Sequence, residues 1–408
     1  MSLISLEYGS TGRWEGDLSS ERLLFSHSGP APIANPLAAV LEGVHQPLEF
    51  PALELAMVPG DRVVIVLDRG VPSAAEIISG IWSAFVSAGI EPGNVLILQP
   101  ASMTPIKLAD PRRLLPAEIR EQVAWTIHDP TLVDGTGYLA SSAAGERLYL
   151  SREVLDAEFV LPIGRFGFDA MLGRRELTSA FYPGLSNPEA FAKTLGQGHQ
   201  ELGPDDERPL RQLVNEVAWL LGIQFAIQVL PSRSHAGMTG VLMGNTDQVA
   251  QRGRKLLDEN WRVTLDQRGE TALVAIPSSG DETSWADLGA AVDAARKLIV
   301  QGGKIIVLSD LAAEPGAGVD MIGNCRSAKS ALQPLRKAAP PDVLPAAQIA
   351  AAADWASVYL LSKLDSQLVE RTYMTPIEHE REVIRLLQNC DGCVVLAGAQ
   401  HVYSEIQE

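Results

Sequence analysis

The residues able to do chemistry gather where short apolar runs stop. The run ending at Leu67 gives way to Asp68-Arg69-Gly70-Val71-Pro72. An aspartate beside an arginine at such a point can orient a carboxylate or hydroxyl through charge-assisted hydrogen bonds. It can equally be an ion pair that holds the turn. His128, in Ile127-His128-Asp129-Pro130, closes another run, and an imidazole there is either a base tuned near neutral pH or a packed structural side chain. His199, in Gly198-His199-Gln200, sits on a glycine-flanked loop. Neither histidine belongs to an H-x-x-x-H pair, so spacing alone defines no metal motif.

Cys390-Asp391-Gly392-Cys393 is a single C-x-x-C, and zinc would need two further ligands. A redox pair of the thioredoxin kind places its reactive cysteine at a helix N-terminus, where the helix dipole lowers the thiol pKa. Here the order is helix, C-x-x-C, strand, which reads as a turn capped by Gly392. No G-x-G-x-x-G follows an expected strand, and neither G-x-x-x-x-G-K-[ST] nor G-x-S-x-G occurs. A nicotinamide dehydrogenase, a P-loop nucleotidase and a serine hydrolase of the elbow type are therefore disfavoured.

The elements that must position these residues alternate between β-branched runs and helical segments. VVIVL at 63–67 is followed by a helical stretch at 74–88 and by NVLIL at 94–98. That rhythm is the signature of βαβ units and a parallel sheet. Residues 1–60 read as short strands and loops. A second block holds a helix over 205–221, with acidic residues in its first turn and Gly222 just past its end. Strands at 223–230 and 239–243 and a helix at 246–260 complete it. After a linker at 266–269 come strand 272–277, helix 285–300, strand 304–308, helices 327–337 and 346–353, strand 357–361, helix 377–388 and strand 393–397. Thr375-Pro376-Ile377-Glu378 reads as a capping box with proline at the first helical position. The expected fold is α/β, with two domains of mostly parallel sheet (1–265 and 270–400), a tail at 401–408 and a cleft between the domains.

Composition bounds the function. The chain has 408 residues, 46% hydrophobic and 20% charged, which is ordinary for a globular protein long enough for two or three cores. A formal charge of −17 argues against nucleic acid and anionic membranes as partners. No basic-then-apolar leader and no apolar run near the ~20 residues of a membrane span is present, and three cysteines make no disulfide framework. These features lead to the expectation of a cytoplasmic protein.

Taken in order, the stretches 63–73, 127–130, 150–164, Tyr182-Pro183-Gly184-Leu185-Ser186-Asn187-Pro188-Glu189, 222–230 with 240–253, and 272–308 resemble the lactate racemase family. That family consists of two-domain α/β enzymes that use a nickel-pincer nucleotide, and the likeness runs from about residue 15 to 400. The resemblance implies a cofactor tethered through a lysine, nickel held also by a histidine, and two histidines that exchange the C2 proton while a hydride moves onto the cofactor and back. Asp68 matches the family aspartate, although Val71 stands where an arginine is usual. The tether lysine maps to Ser179 and the nickel histidine to His199. The two catalytic histidines map to Gln99-Pro100-Ala101-Ser102 and to Arg165-Phe166-Gly167-Phe168-Asp169, which contain none. The substrate-contacting helix maps to Ala286-Asp287-Leu288-Gly289-Ala290, and a family tryptophan to Trp355.

Two functional expectations follow from the resemblance. One is a lactate racemase-like protein of the 2-hydroxy-acid racemase and epimerase class, diverged from standard lactate racemisation, with Asp68 and His128 catalytic and His199 on the metal. The other is a non-catalytic homologue, either structural or holding a small anion through Arg69, Arg165 and Arg174, with Ser179 at the ligand. The cofactor is accordingly a nickel-pincer nucleotide or none, and the partner a hydroxy acid or other small anion. Self-association into a homo-oligomer is left open.

Overall fold

The computed structural model describes residues 2–102, 108–195, 202–234, 237–278, 283–388 and 390–407. The chain divides into two compact units. Unit 1 comprises Met1–Ala31, Ser232–Ala236 and Glu259–Glu408, and unit 2 comprises Pro32–Pro231 and Gly237–Asp258. The division differs from a simple split near residue 265. It falls within the helix Thr246–Trp261, and the first 31 residues join unit 1.

Unit 2 is built on a six-stranded sheet in the order Met238–Asn245, Phe225–Pro231, Phe159–Arg165, Val63–Leu67, Val95–Gln99, Ala124–Ile127. All neighbours are parallel except the outer pair Phe225–Pro231 and Met238–Asn245. The unbroken VVIVL run has a direct cause. Val63, Ile65 and Leu67 pack into one core with Val40, Val44, Ile77, Ile81 and Phe85 of the helices Pro36–His45 and Ala74–Ser87. Val64 and Val66 pack into a second core with Leu210, Val214 and Val217 of the helix Pro209–Leu220. A strand covered on both faces cannot alternate apolar with polar, and each buried Val or Ile contributes roughly 1.5–3 kcal/mol.

Unit 1 holds a second six-stranded sheet, wholly parallel. Its order is Thr375–Ile377, Ser357–Leu361, Ile299–Leu308, Gly269–Ala275, Cys393–Ala397, Leu23–His27. The N-terminal hairpin Ser2–Tyr8 and Gly12–Leu18 covers one face, placing Ile4, Leu6, Trp14 and Leu18 against Leu273, Ile306 and Val395. Backbone bonds between Gly9 and both Ile276 (2.9 Å) and Ser278 (2.7 Å) fasten the hairpin turn to the end of strand Gly269–Ala275. This pairing is why the first residues belong to unit 1.

Local signals explain most boundaries. Ser284 and Asp287 form a reciprocal capping box at the start of helix Trp285–Leu298. Gly222, with φ +65°, ends helix Pro209–Leu220. That helix starts later than expected: Pro209 opens it, and the acidic residues before it lie in a turn where the Asp206 carboxylate accepts from Gly203 N (2.7 Å). The expected helix over 377–388 is also corrected. Thr375–Ile377 is an edge strand paired with Ser357–Leu361, and the helix is Glu380–Leu387. Proline is tolerated at a sheet edge, so Pro376 had two compatible readings. The true start is marked by Glu382, whose carboxylate accepts from Glu378 N (3.0 Å) and His379 N (2.9 Å).

Cys390 and Cys393 flank a turn with Gly392 at φ +65°, between that helix and strand Cys393–Ala397, and both are buried. A hydrogen bond from Cys393 lowers the Cys390 thiol to about 7, while the same bond and burial raise Cys393. Among the described residues, no helix is long and apolar enough to cross a membrane.

Candidate functional site: an arginine cluster at one sheet edge

Parallel strands end on the same side, so the residues following Val63–Leu67, Val95–Gln99, Ala124–Ile127 and Phe159–Arg165 share one edge of the unit 2 sheet. Asp68, Pro100, His128 and Arg165 are thereby brought to that edge, where open α/β sheets bind ligands. The short hairpin Gly167–Asp169 and Gly173–Arg175 delivers two more arginines. The Asp169 carboxylate shapes its turn by accepting from Met171 N (2.8 Å) and Leu172 N (3.0 Å).

Asp68 is 2% exposed and fully engaged. Arg175 donates to both of its oxygens, Nε to Oδ2 at 2.7 Å and Nη2 to Oδ1 at 2.5 Å, and Arg69 N donates to Oδ1 at 2.8 Å. Burial alone would weaken the Arg175 charge, but the Asp68 carboxylate outweighs it and holds the guanidinium well above its ordinary range. Arg174 donates to Asp205 (2.7 Å) and grips Asp258, and its side chain is 7% exposed. Arg254 is bidentate to Glu176 at 2.7 Å on both bonds. Three arginines, of which Arg174 is buried and Arg254 exposed, are thus matched by carboxylates.

Two are not. Arg69 donates through Nε to the Pro100 carbonyl (2.7 Å), and burial, helped by Arg175 and opposed by the charge of Asp68, pulls its pKa down. Arg211 donates to the carbonyl of Arg174, to Asn215 Oδ1 (3.3 Å) and to Ser179 Oγ (3.0 Å). Burial lowers its pKa as well, against the opposing charges of Glu176 and Asp169 and with those of Arg254 and Arg175 acting in the same sense. Among the described residues no carboxylate touches either guanidinium. Arg165 lies beside Gly70, its Nε 3.8 Å from where a Cβ would stand.

Of the residues singled out from the sequence, Asp68, Arg69, Arg165, Arg174 and Ser179 come together here. Ser179 is 7% exposed, and its Oγ accepts from Glu176 N (2.9 Å) as well as from Arg211. His128 shares the sheet edge but faces its own partner. Its Nε2 lies 2.9 Å from the Ser186 carbonyl, which can only accept, so Nε2 carries the proton. Burial lowers the His128 pKa and keeps the ring neutral. His199 lies outside the described residues. Sequence reasoning missed Arg175 as a partner of Asp68, and missed Glu176, Arg211, Arg254 and Asp258 altogether. The spacing of Arg254 and Asp258 on the helix Thr246–Trp261 was a usable signal, since i and i+4 share a helix face.

The residues present do not fit a covalently held nickel-pincer group. At Ser179, the position that the resemblance assigns to the tether, the side chain is a hydroxyl rather than an amine, and it already accepts two hydrogen bonds in a buried setting, one of them from Arg211. Among the described residues no set of three or more His, Cys, Asp or Glu side chains is arranged to hold a metal ion.

Two solved structures share the architecture. The lactate racemase apoprotein from Thermoanaerobacterium thermosaccharolyticum superposes with a TM-score of 0.77 at 15% identity over 100% of both chains. A protein from Thermotoga maritima gives 0.66 at 10% identity, over 93% of this chain and 100% of that one. No protein-family model matches the chain, and no curated protein matches it in sequence. The fold is lactate racemase-like, and identities this low establish the fold alone.

Proposed function

We propose that this protein is a lactate racemase-like scaffold that binds a small organic anion of the hydroxy-acid class at the unit 2 arginine cluster, without a covalent nickel-pincer nucleotide. The observation that carries the reading is the pair Arg69 and Arg211, guanidiniums enclosed by the fold and met by carbonyls and hydroxyls but by no carboxylate. A half-buried guanidinium that no carboxylate touches keeps part of its desolvation cost, and an anion entering beside it removes that cost. Arginine suits the task because its planar fork meets a carboxylate with two hydrogen bonds. Asp68 then acts as a positioning residue that fixes Arg175. His128 braces Ser186, with its ring proton already donated.

Calorimetric titration with D- and L-lactate tests this directly. Saturable binding is expected, weakened roughly tenfold or more by Arg69→Met or Arg211→Met, with no interconversion of the enantiomers on chiral chromatography. Co-expression with the nickel-pincer biosynthetic enzymes should leave the intact mass equal to that of the bare polypeptide. A nucleotide-sized increment, or racemisation of lactate, would overturn the cofactor-free reading.

A further inference from the structure

Unit 1 carries a cavity of its own, of about 450 Å³, that shares no residue with the arginine cluster. It lies between the hairpin strand Ser2–Tyr8 and the edge strand Leu23–His27 of the parallel sheet. Leu6, Leu23, Val395 and Ala397 contribute apolar wall, and Arg233 contributes a guanidinium. Among the described residues no carboxylate, carbonyl or ring meets the Arg233 side chain, which is only half exposed.

The position of Arg233 is nevertheless fixed. Its backbone N–H donates to the Pro30 carbonyl at 2.8 Å. Gly29, at φ +64°, lets the chain press against it: a Cβ at position 29 would stand 3.0 Å from Arg233 Cβ and 2.9 Å from the Trp261 ring. His27 forms the adjoining wall, its ring tilted at 56° to that of Trp261 with centroids 5.4 Å apart, and Nε2 donating to the Asn260 carbonyl at 2.8 Å. Burial lowers the His27 pKa, so the ring stays neutral and adds no charge beside Arg233. Arg13 adds a second cation at the rim, itself paired with Glu15 at 2.8 Å. Glu7, which also lines the cavity, stands opposite Arg13 in the hairpin register. A concave wall that combines apolar side chains with an anchored cation is the arrangement that holds a small amphipathic anion.

We infer that this cavity is a second ligand site, selective for a small carboxylate with an apolar body, anchored by Arg233. The carboxylate pairs with the guanidinium while the body covers Leu23 and the His27 ring. Charge and apolar contact are both required, so neither alone suffices.

Three probes separate those requirements: benzoate has both, benzamide lacks the charge, and inorganic phosphate lacks the apolar body. Titration of the full-length protein, followed by the His27 ring resonances in NMR, should give saturable benzoate binding with Kd on the order of 1 mM. Benzamide and phosphate should each bind at least about tenfold more weakly. Arg233→Gln should raise the benzoate Kd by about tenfold or more, and Ser26→Trp, which fills the cavity from an exposed strand position, should abolish the shift. Arg69→Met, in the unit 2 cluster, should leave the His27 response intact, so failure here and failure of the unit 2 reading are told apart. Equal affinity for benzoate and benzamide, an unmoved His27 signal, or unchanged benzoate binding in folded Arg233→Gln and Ser26→Trp would each overturn the inference.

Discussion

The two parallel sheets end in opposite kinds of polar chemistry. At the edge of the unit 1 sheet a single carboxylate, Asp310, collects donors: Thr283 Oγ1 at 2.7 Å, Ser278 Oγ at 3.1 Å, Ser10 N at 3.0 Å and the Lys363 ammonium at 3.7 Å. Burial would raise its pKa, but these donors outweigh burial and hold it below the ordinary carboxylate range. At the edge of the unit 2 sheet guanidiniums gather instead, and the carboxylates serve some of them while Arg69 and Arg211 go without. The first edge is closed upon itself and works as a latch between the hairpin and the sheet. The second retains, on the proposed reading, donors for an acceptor brought by a ligand. Similar backbone architecture therefore carries two edges that differ in their balance of donors and acceptors, and the proposed binding role rests on that difference.

The sharpest way to break that comparison is to remove the carboxylate that organises the cationic edge. Asp68→Ala strands Arg175 in a site where the aspartate side chain is 3% exposed, and should cost about 3–5 kcal/mol in urea unfolding. Removing both partners, Asp68→Ala with Arg175→Met, should recover much of that loss, because the stranded charge is the main penalty. A double variant as unstable as the single one would show that packing, not charge, dominates there. Asp310→Ala should cost less, about 1–3 kcal/mol, since it leaves neutral hydroxyls and one backbone N–H rather than a buried cation. The Asp310 contribution is complete above the ordinary carboxylate range and fades as pH falls through its depressed value, so acid unfolding should begin later in Asp310→Ala relative to its own neutral-pH stability.

The alternation of apolar runs and helices made the parallel α/β architecture legible, because a strand buried on both faces must be continuously apolar, as Val63–Leu67 and Cys393–Ala397 are. Asp68, Arg69, Arg165, Arg174 and Ser179 were also within reach, since they sit where strands end or beside a recognisable motif. What stayed hidden is long-range pairing. Asp68 meets Arg175 across 107 residues, Glu176 meets Arg254 across 78, and Arg174 meets Asp258 across 84. Nothing local in Arg211 distinguishes a site residue from a solvated arginine on a helix, and Arg254 offers only its i, i+4 spacing to Asp258. The return of residues 1–31 to unit 1 was hidden for the same reason, since the pairing of Leu23–His27 with Cys393–Ala397 spans most of the chain. The misplaced helix at 377–388 has a local cause: a proline inside Thr375–Ile377 suits an edge strand as well as a helix start.

The smallest expected effect tests where the cationic edge stops. His128 lies on the same sheet edge as Asp68, yet its geometry is that of a neutral brace, one ring N–H given to Ser186. Its pKa is lowered by burial, so folding favours the uncharged ring. The stability it supplies is complete above the ordinary histidine value of about 6.5 and is lost as pH falls through the lower folded-state value. His128→Gln, which keeps a donor but not the titration, should therefore cost about 1 kcal/mol near pH 8 and progressively less on acidification, as the wild type itself weakens. The check is urea unfolding of both proteins at several pH values between the two regimes. A cost that grows as pH falls would mean that the ring gains a proton usefully in the fold, and would place His128 with the carboxylate-paired arginines instead of beside them.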